Sequence, residues 1–182
     1  MKRKVESMNP KSFTLVALGG LLLGVLAFSG CGKSPETTSS AEKSEVPAKG
    51  KSSLPVKEVE VTADDQMKFN VTEIEAQAKQ RVKIIFKNVG TMPKQSMGHN
   101  FVLLKKGTDT AAFVEAGSVG AASTDYIADE VKDQVIAHTK TLGPGESEIL
   151  TFTAPTEPGT YTYVCTFPGH FAAGMHGTLI VE

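Results

Sequence analysis

Cys165, His170 and Met175 follow one another at intervals of five residues, giving Cys-x4-His-x4-Met around the run Cys165-Thr166-Phe167-Pro168-Gly169-His170. A single loop that turns back on itself can aim a thiol, an imidazole and a thioether at one point. Far upstream, Met97-Gly98-His99-Asn100 supplies a second imidazole. Thiolate and thioether are soft donors that favour Cu(I), and imidazole serves both oxidation states of copper. A trigonal set of two His and one Cys with a weak axial Met is the geometry of blue-copper electron-transfer centres. Zinc prefers a closed tetrahedral set of Cys and His, and Met is a poor ligand for it.

Blander and rival readings use the same residues. A lone Cys is often a small buried hydrophobe, the imidazoles can be surface groups, and Met175 can be core packing. The spacing weighs against this, and so does the cysteine count. The chain has two Cys, of which only Cys165 lies in the folded part, and an unpaired exported thiol is open to oxidation unless a metal holds it. A Cys–His hydrolase needs an orienting third group and an oxyanion hole. Neither is indicated, and His99 and Met175 would have no part in it. Enzymes with several coppers need more imidazoles than His99, His138, His170 and His176, and a binuclear copper loop needs a second Cys where Gly169 stands. The residues therefore point to one copper per chain in a one-electron transfer protein that is not an enzyme. A copper-binding module for delivery or storage is the alternative.

Such donors need a frame, and from Val56 the chain reads as strands. Val56–Val61, Arg81–Lys87, Asn100–Leu104, Glu148–Thr153, Thr160–Val164 and Thr178–Val181 are short β-rich runs separated by Gly, Pro and Asn. The pattern predicts an all-β antiparallel sandwich. Residues 109–137, rich in Ala and charge, predict a short helical insertion, placed at Thr124–Val131 with Thr124 or Asp125 as its cap. The ligand loop then lies between two strands, and His99 stands at the start of another.

The N-terminus reads as an address. Lys2, Arg3, Lys4 and Lys11 precede an apolar run from Phe13 to Phe28, which meets Ser29-Gly30-Cys31. A basic region, a short apolar region and small residues at a cut site describe an export signal. Small residues directly before Cys31 resemble a bacterial lipoprotein signal, in which that Cys is lipidated and becomes the mature N-terminus. The run is shorter than the roughly 20 residues that cross a bilayer, but an uncleaved anchor helix is the competing reading. Residues 31–55, rich in Ser, Thr, Pro, Lys and Glu, bury too little to offset ordering entropy and read as a flexible tether. The expected organisation is a signal at 1–30, a tether at 31–55 and one domain at 56–182, exported and lipid-anchored in the periplasm or cell envelope. The whole chain holds 19 basic and 20 acidic side chains, for a net charge of −1. Its basic excess lies at the N-terminus, so the domain is mildly acidic and does not suit nucleic acid.

From about Asp64 to Glu182 the chain resembles the azurins, blue-copper proteins of the cupredoxin class. The matching pieces are Asp65-Gln66-Met67-Lys68-Phe69-Asn70, Pro93-Lys94, Met97-Gly98-His99-Asn100, Val135-Ile136-Ala137-His138-Thr139-Lys140 and Cys165-Thr166-Phe167-Pro168-Gly169-His170. The resemblance implies a cupredoxin-like Greek-key β-sandwich. It implies His99, Cys165 and His170 as equatorial ligands, Met175 as the axial thioether, and the Gly98 carbonyl as a weak second axial contact. Asn100 would hydrogen-bond across to Thr166, and backbone N–H groups near the sulfur would tune the potential. Met67, Met92, Met97 and Phe167, with Phe171 and Ala172 beside them, would form an apolar electron-transfer patch around an exposed edge of His170. Partners would be redox proteins such as c-type cytochromes or a terminal reductase or oxidase, met by a monomer.

Four departures from the azurin pattern matter. The ligand loop has four residues between His170 and Met175, as in the auracyanins, where azurins have three, and this leaves His176 as a rival to Met175. The azurin disulfide cannot form in a domain with one Cys. A buried His that links pH to redox state in some azurins falls at Asn88, so that linkage should be absent. The core Trp is replaced by Phe101.

Overall fold

Alternation of apolar and polar side chains decides the longest strand pair. In Arg81–Asn88 the residues Val82, Ile84, Phe86 and Asn88 are buried while their neighbours are not. Ser147–Thr153 runs antiparallel to it, with Ile84 opposite Leu150 and Val82 opposite Phe152. A period of two places these side chains on one face, which must then be covered. The computed structural model describes residues 54–118 and 122–182. The expected signal, Cys31 and all of the expected tether but Leu54 and Pro55 lie outside the described residues.

In chain order the elements are β1 (Lys57–Ala63), β2 (Glu73–Ala76), β3 (Arg81–Asn88), α1 (Lys94–Met97), β4 (Val102–Leu104), α2 (Thr110–Ser118), two 3-10 turns (Ala122–Thr124 and Asp129–Gln134), β5 (Val135–His138), β6 (Ser147–Thr153), β7 (Gly159–Val164) and β8 (His176–Val181). One sheet has the order β1-β3-β6 and the other β2-β8-β7-β4-β5. The two make the expected β-sandwich. The pairing is mixed rather than wholly antiparallel, because β1 runs parallel to β3 and β2 parallel to β8.

Aromatic rings fill the space between the sheets. Phe101 stacks on Tyr163 at 4.6 Å, and Phe69 meets Phe86 edge-on at 6.1 Å and Phe101 at 6.3 Å. Offset and edge-on geometries of this kind add to what burial alone contributes. The Tyr163 hydroxyl donates to the Val71 carbonyl at 2.6 Å, so its one polar group is satisfied. Strand β4 is buried on both faces. Leu103 joins this main core, whereas Val102 and Leu104 join Phe113, Val114, Ile127 and Val164 in a second apolar cluster. Burial on both sides explains why Phe101–Leu104 reads as an unbroken apolar run instead of an alternating one.

The insertion differs from expectation. The helix is Thr110–Ser118, not Thr124–Val131. Asp109 accepts from the Ala112 N–H at 3.1 Å, so it serves as the cap. Thr124 ends a 3-10 turn, and Asp125 and Tyr126 have φ of 54° and 56°, which a right-handed helix cannot contain. The tail of the supposed helical stretch is strand β5, which pairs with β4. Strand β2, four residues long, was not expected at all.

Candidate metal centre

His99 is placed by a clamp on both sides. Helix α1 ends at Met97, and Gly98 leads out of it in an extended conformation with φ −72° and ψ 150°. A Cβ on Gly98 would stand 2.7 Å from the Lys94 carbonyl oxygen and 2.7 Å from Thr141 Cγ2, so only glycine lets the chain pass here. His99 then pairs with Leu142, its N–H donating to the Leu142 carbonyl at 3.0 Å and its carbonyl accepting from the Leu142 N–H at 2.7 Å. Asn88, where a buried His was ruled out by sequence, also donates to the Leu142 carbonyl at 3.1 Å.

Cys165 directly follows β7 and Met175 directly precedes β8, so the two strands hold the ends of the ligand loop. The loop closes on itself through Cys165 N–H to the Met175 carbonyl (3.2 Å), Met175 N–H to the His170 carbonyl (3.0 Å) and Ala173 N–H to the Gly169 carbonyl (3.1 Å). Lys68 adds a bond from Nζ to the Ala173 carbonyl at 2.7 Å. The four residues between His170 and Met175 are thus wound into a turn. Met175 is fully buried. His176, its rival by sequence, is exposed at the first position of β8.

The three strongest donors converge. His99, Cys165 and His170 offer atoms that all lie within 4.8 Å of one another, and they are 0%, 0% and 2% exposed. Cys165 Sγ is 3.4 Å from His170 Nδ1 and 4.0 Å from His99 Nδ1. A trigonal metal with bonds of about 2.0–2.3 Å needs donors about 3.5–4 Å apart, so the two sulfur–nitrogen spacings suit a single ion. One sulfur and two imidazole nitrogens, with no carboxylate in the set, fit copper and not magnesium or calcium.

Burial sets the protonation of these groups. It pushes the Cys165 thiol up to about 12, while the backbone amides of Asn100 and Phe167 face the sulfur and oppose that shift. Burial lowers His99, and the Asp64 carbonyl and the Asp64 and Asp65 charges partly offset the effect. His99 Nε2 reaches no partner at bonding geometry among the described residues. His170 falls to about 4, through burial first and the neighbouring His99 second.

Around the donors stands a polar frame. Asn100 Oδ1 accepts the Thr166 N–H at 2.8 Å, and Asn100 Nδ2 donates to Thr166 Oγ1 at 2.7 Å. The patch residues are less uniform. Met92 and Ala172 are exposed, Met67, Met97 and Phe171 are half-buried, and Phe167 is buried. His170 lies against Phe167, with ring centroids 4.6 Å apart. Its edge was expected at the surface, but only 2% of the residue is accessible. Asp65 was missed as a contributor. Its carboxylate accepts from the Thr91 N–H and hydroxyl, both at 2.8 Å, and from the Met92 N–H at 3.2 Å. These bonds hold its carboxyl below the usual range and pin Met92 to the segment that carries Met67.

Residues 56–182 match a family described as copper-binding proteins of the plastocyanin/azurin family. The outer membrane protein H.8 of Neisseria gonorrhoeae is 40% identical over 114 residues, which are 62% of this chain and 61% of that protein. The match thus spans about three-fifths of the relative's length. Azurin-2 of Alcaligenes xylosoxydans xylosoxydans is 40% identical over 126 residues, 67% of this chain and 95% of that one. Auracyanin A, a "blue" copper protein from Chloroflexus aurantiacus, superposes with a TM-score of 0.63 at 32% identity and covers 70% of this chain and 100% of its own.

The pKa values carry a pH dependence for the copper-free protein. His170 has a lower pKa folded (about 4) than unfolded (6.5), so the fold favours the neutral ring. That stabilisation is complete above pH 6.5 and is lost as the pH falls toward 4. Urea unfolding at pH 7.5 and pH 4 should show the loss, and a His170→Gln variant should show less of it, with His99 supplying part of the remainder. Equal stability of the parent protein at both pH values would contradict a buried neutral imidazole.

Proposed function

We propose that this chain, which belongs to the plastocyanin/azurin family of copper-binding proteins, is a type 1 blue-copper electron carrier tethered in the cell envelope. The observation that carries the reading is the buried convergence of one thiol and two imidazole edges within 4.8 Å. Copper held there supplies a one-electron Cu(I)/Cu(II) couple.

His99, Cys165 and His170 would hold the copper, with Met175 and the Gly98 carbonyl as further weak contacts. The protein's own part is to keep them still. Near-complete burial excludes water, and the Asn100–Thr166 bonds tie the segment of His99 to that of Cys165. A site that cannot rearrange transfers electrons with little reorganisation. Burial also favours a carrier over a delivery module, since releasing the ion would require the loop to open. His170 packs against Phe167, and a small apolar rim with the exposed Met92 and Ala172 suits brief encounters with redox proteins. A mildly acidic body favours basic partners such as c-type cytochromes, with the effect screened by salt.

The anchor rests on sequence. A basic start, an apolar run and Ser29-Gly30-Cys31 support export and lipidation at Cys31, and likeness to a protein named for the outer membrane supports an envelope location. Incorporation of labelled palmitate by cells making the full chain, lost in Cys31→Ser, is the expected result. Labelling that survives the substitution would exclude Cys31 as the anchor.

Two substitutions test the centre. Cys165→Ser should abolish the intense thiolate-to-copper band, and a variant that stayed intensely blue would sink the assignment. Met175→Leu should leave the site blue and raise its potential, because a weak donor to Cu(II) is lost. An unchanged potential would exclude Met175 as the axial group.

A further inference from the structure

The segment after α2 approaches the metal centre although it belongs to neither sheet. Two successive residues in it, Asp125 and Tyr126, stand at φ of 54° and 56°. This left-handed region is unfavourable for side chains other than Gly, Asn and Asp, and most of all for a bulky one. Their contacts show what the conformation achieves. The Asp125 carbonyl accepts two hydrogen bonds, from Asn100 Nδ2 and from Thr166 Oγ1, each at 2.8 Å. The Asp125 carboxylate accepts the Thr141 N–H at 2.6 Å. Tyr126 sets its ring edge-on against Phe167 at 5.0 Å.

These bonds close a network with nothing left over. Asn100 Nδ2 has two hydrogens, one for Thr166 Oγ1 and one for the Asp125 carbonyl. Asn100 Oδ1 takes the Thr166 N–H. The Thr166 hydroxyl accepts from Asn100 and donates to Asp125, whose carbonyl uses both lone pairs. Asn100 and Thr166 are themselves fully buried. If the Asp125 carbonyl turned away, a buried N–H and a buried O–H would lose their partner, an unfavourable outcome in a dry site. Asn100 follows His99, Thr166 follows Cys165, and Thr141 precedes Leu142, which pairs with His99. One residue therefore bonds to a residue beside each of those two donors and to the segment that pairs with His99.

We propose that Asp125 is a positioning residue for the metal centre. Its carbonyl locks Asn100 to Thr166, and its carboxylate anchors the Thr141–Leu142 segment against His99, so the donor segments do not shift independently. The inference rests on reading the centre as a copper electron-transfer site.

Three variants of the full chain separate the two contacts. Asp125→Asn keeps an acceptor and tolerates positive φ. Asp125→Gly keeps the conformation without the carboxylate. Asp125→Ala loses the carboxylate and disfavours the conformation. The first readout is amide hydrogen exchange of the copper-free protein. Relative to the parent, Asp125→Ala should exchange at least 10-fold faster at Thr141 and Thr166 and less than about 2-fold faster at Ile84 and Phe86 in β3. Asp125→Gly should lose protection at Thr141 alone, and Asp125→Asn should match the parent. The second readout is the copper-loaded protein, where Asp125→Ala should slow electron self-exchange several-fold and Asp125→Asn should restore it. Unchanged exchange at Thr141 and Thr166 in Asp125→Ala, or an equal loss at β3, would overturn the positioning role. A parent protein that binds no copper would instead refute the function, while the exchange pattern would still decide the role of Asp125 as a brace.

Discussion

Two buried hydrogen bonds run between Asn100 and Thr166, one to the Thr166 N–H at 2.8 Å and one to its hydroxyl at 2.7 Å. The residues are 66 positions apart in sequence, and each follows a proposed ligand. Because both side chains are excluded from water, neither can be removed without stranding the other, at a cost of about 1–3 kcal/mol for a neutral group. The bond pair therefore fixes the distance between His99 and Cys165 more firmly than the sheets alone could. β4 starts only at Val102, so the backbone at His99 and Asn100 lies beyond the regular ladder and needs its own restraint. The Leu142 bridge and the Thr139 bonds to Phe101 supply the remainder.

Holding a thiol and two imidazoles together in a dry site has an energetic consequence. Each prefers its neutral form there, and the Cys165 thiol is held far from ionisation at neutral pH. Taking up a metal ion is therefore coupled to loss of the thiol proton, and the coupling makes affinity depend on pH. The amides of Asn100 and Phe167 that face the sulfur favour its negative form, so the frame is already set for a thiolate before one is made. The aromatic core beneath, with Phe101 on Tyr163, keeps that frame from relaxing.

How much of this could be read from the residues follows from how local each signal is. β3, β6 and β7 declare themselves by alternation, and the ligand loop by the spacing of Cys165, His170 and Met175. The parallel pairing of β1 with β3 and of β2 with β8 joins segments by contacts that no short window contains. β2 is too short to show a period. β5 was hidden in a stretch whose Ala and charge content favours helix, and the helix itself was misplaced because Thr124 and Asp125 look like caps as much as Asp109 does. Asp125 was legible as a polar residue and illegible as a hub, since two of its three bonds use a backbone carbonyl that carries no residue-specific signature. Phe167 was expected on the surface and is buried because Tyr126 packs on it, a contact made by that same non-local segment.

The most direct measurement is a titration of the full chain with Cu(II), followed by visible absorption and EPR. A preformed site of one thiolate and two imidazoles should give an intense band near about 600 nm that saturates at one copper per chain. The band should vanish on reduction and return on oxidation. A colourless or weakly absorbing complex, or one needing several ions per chain, would contradict the centre described by His99, Cys165 and His170.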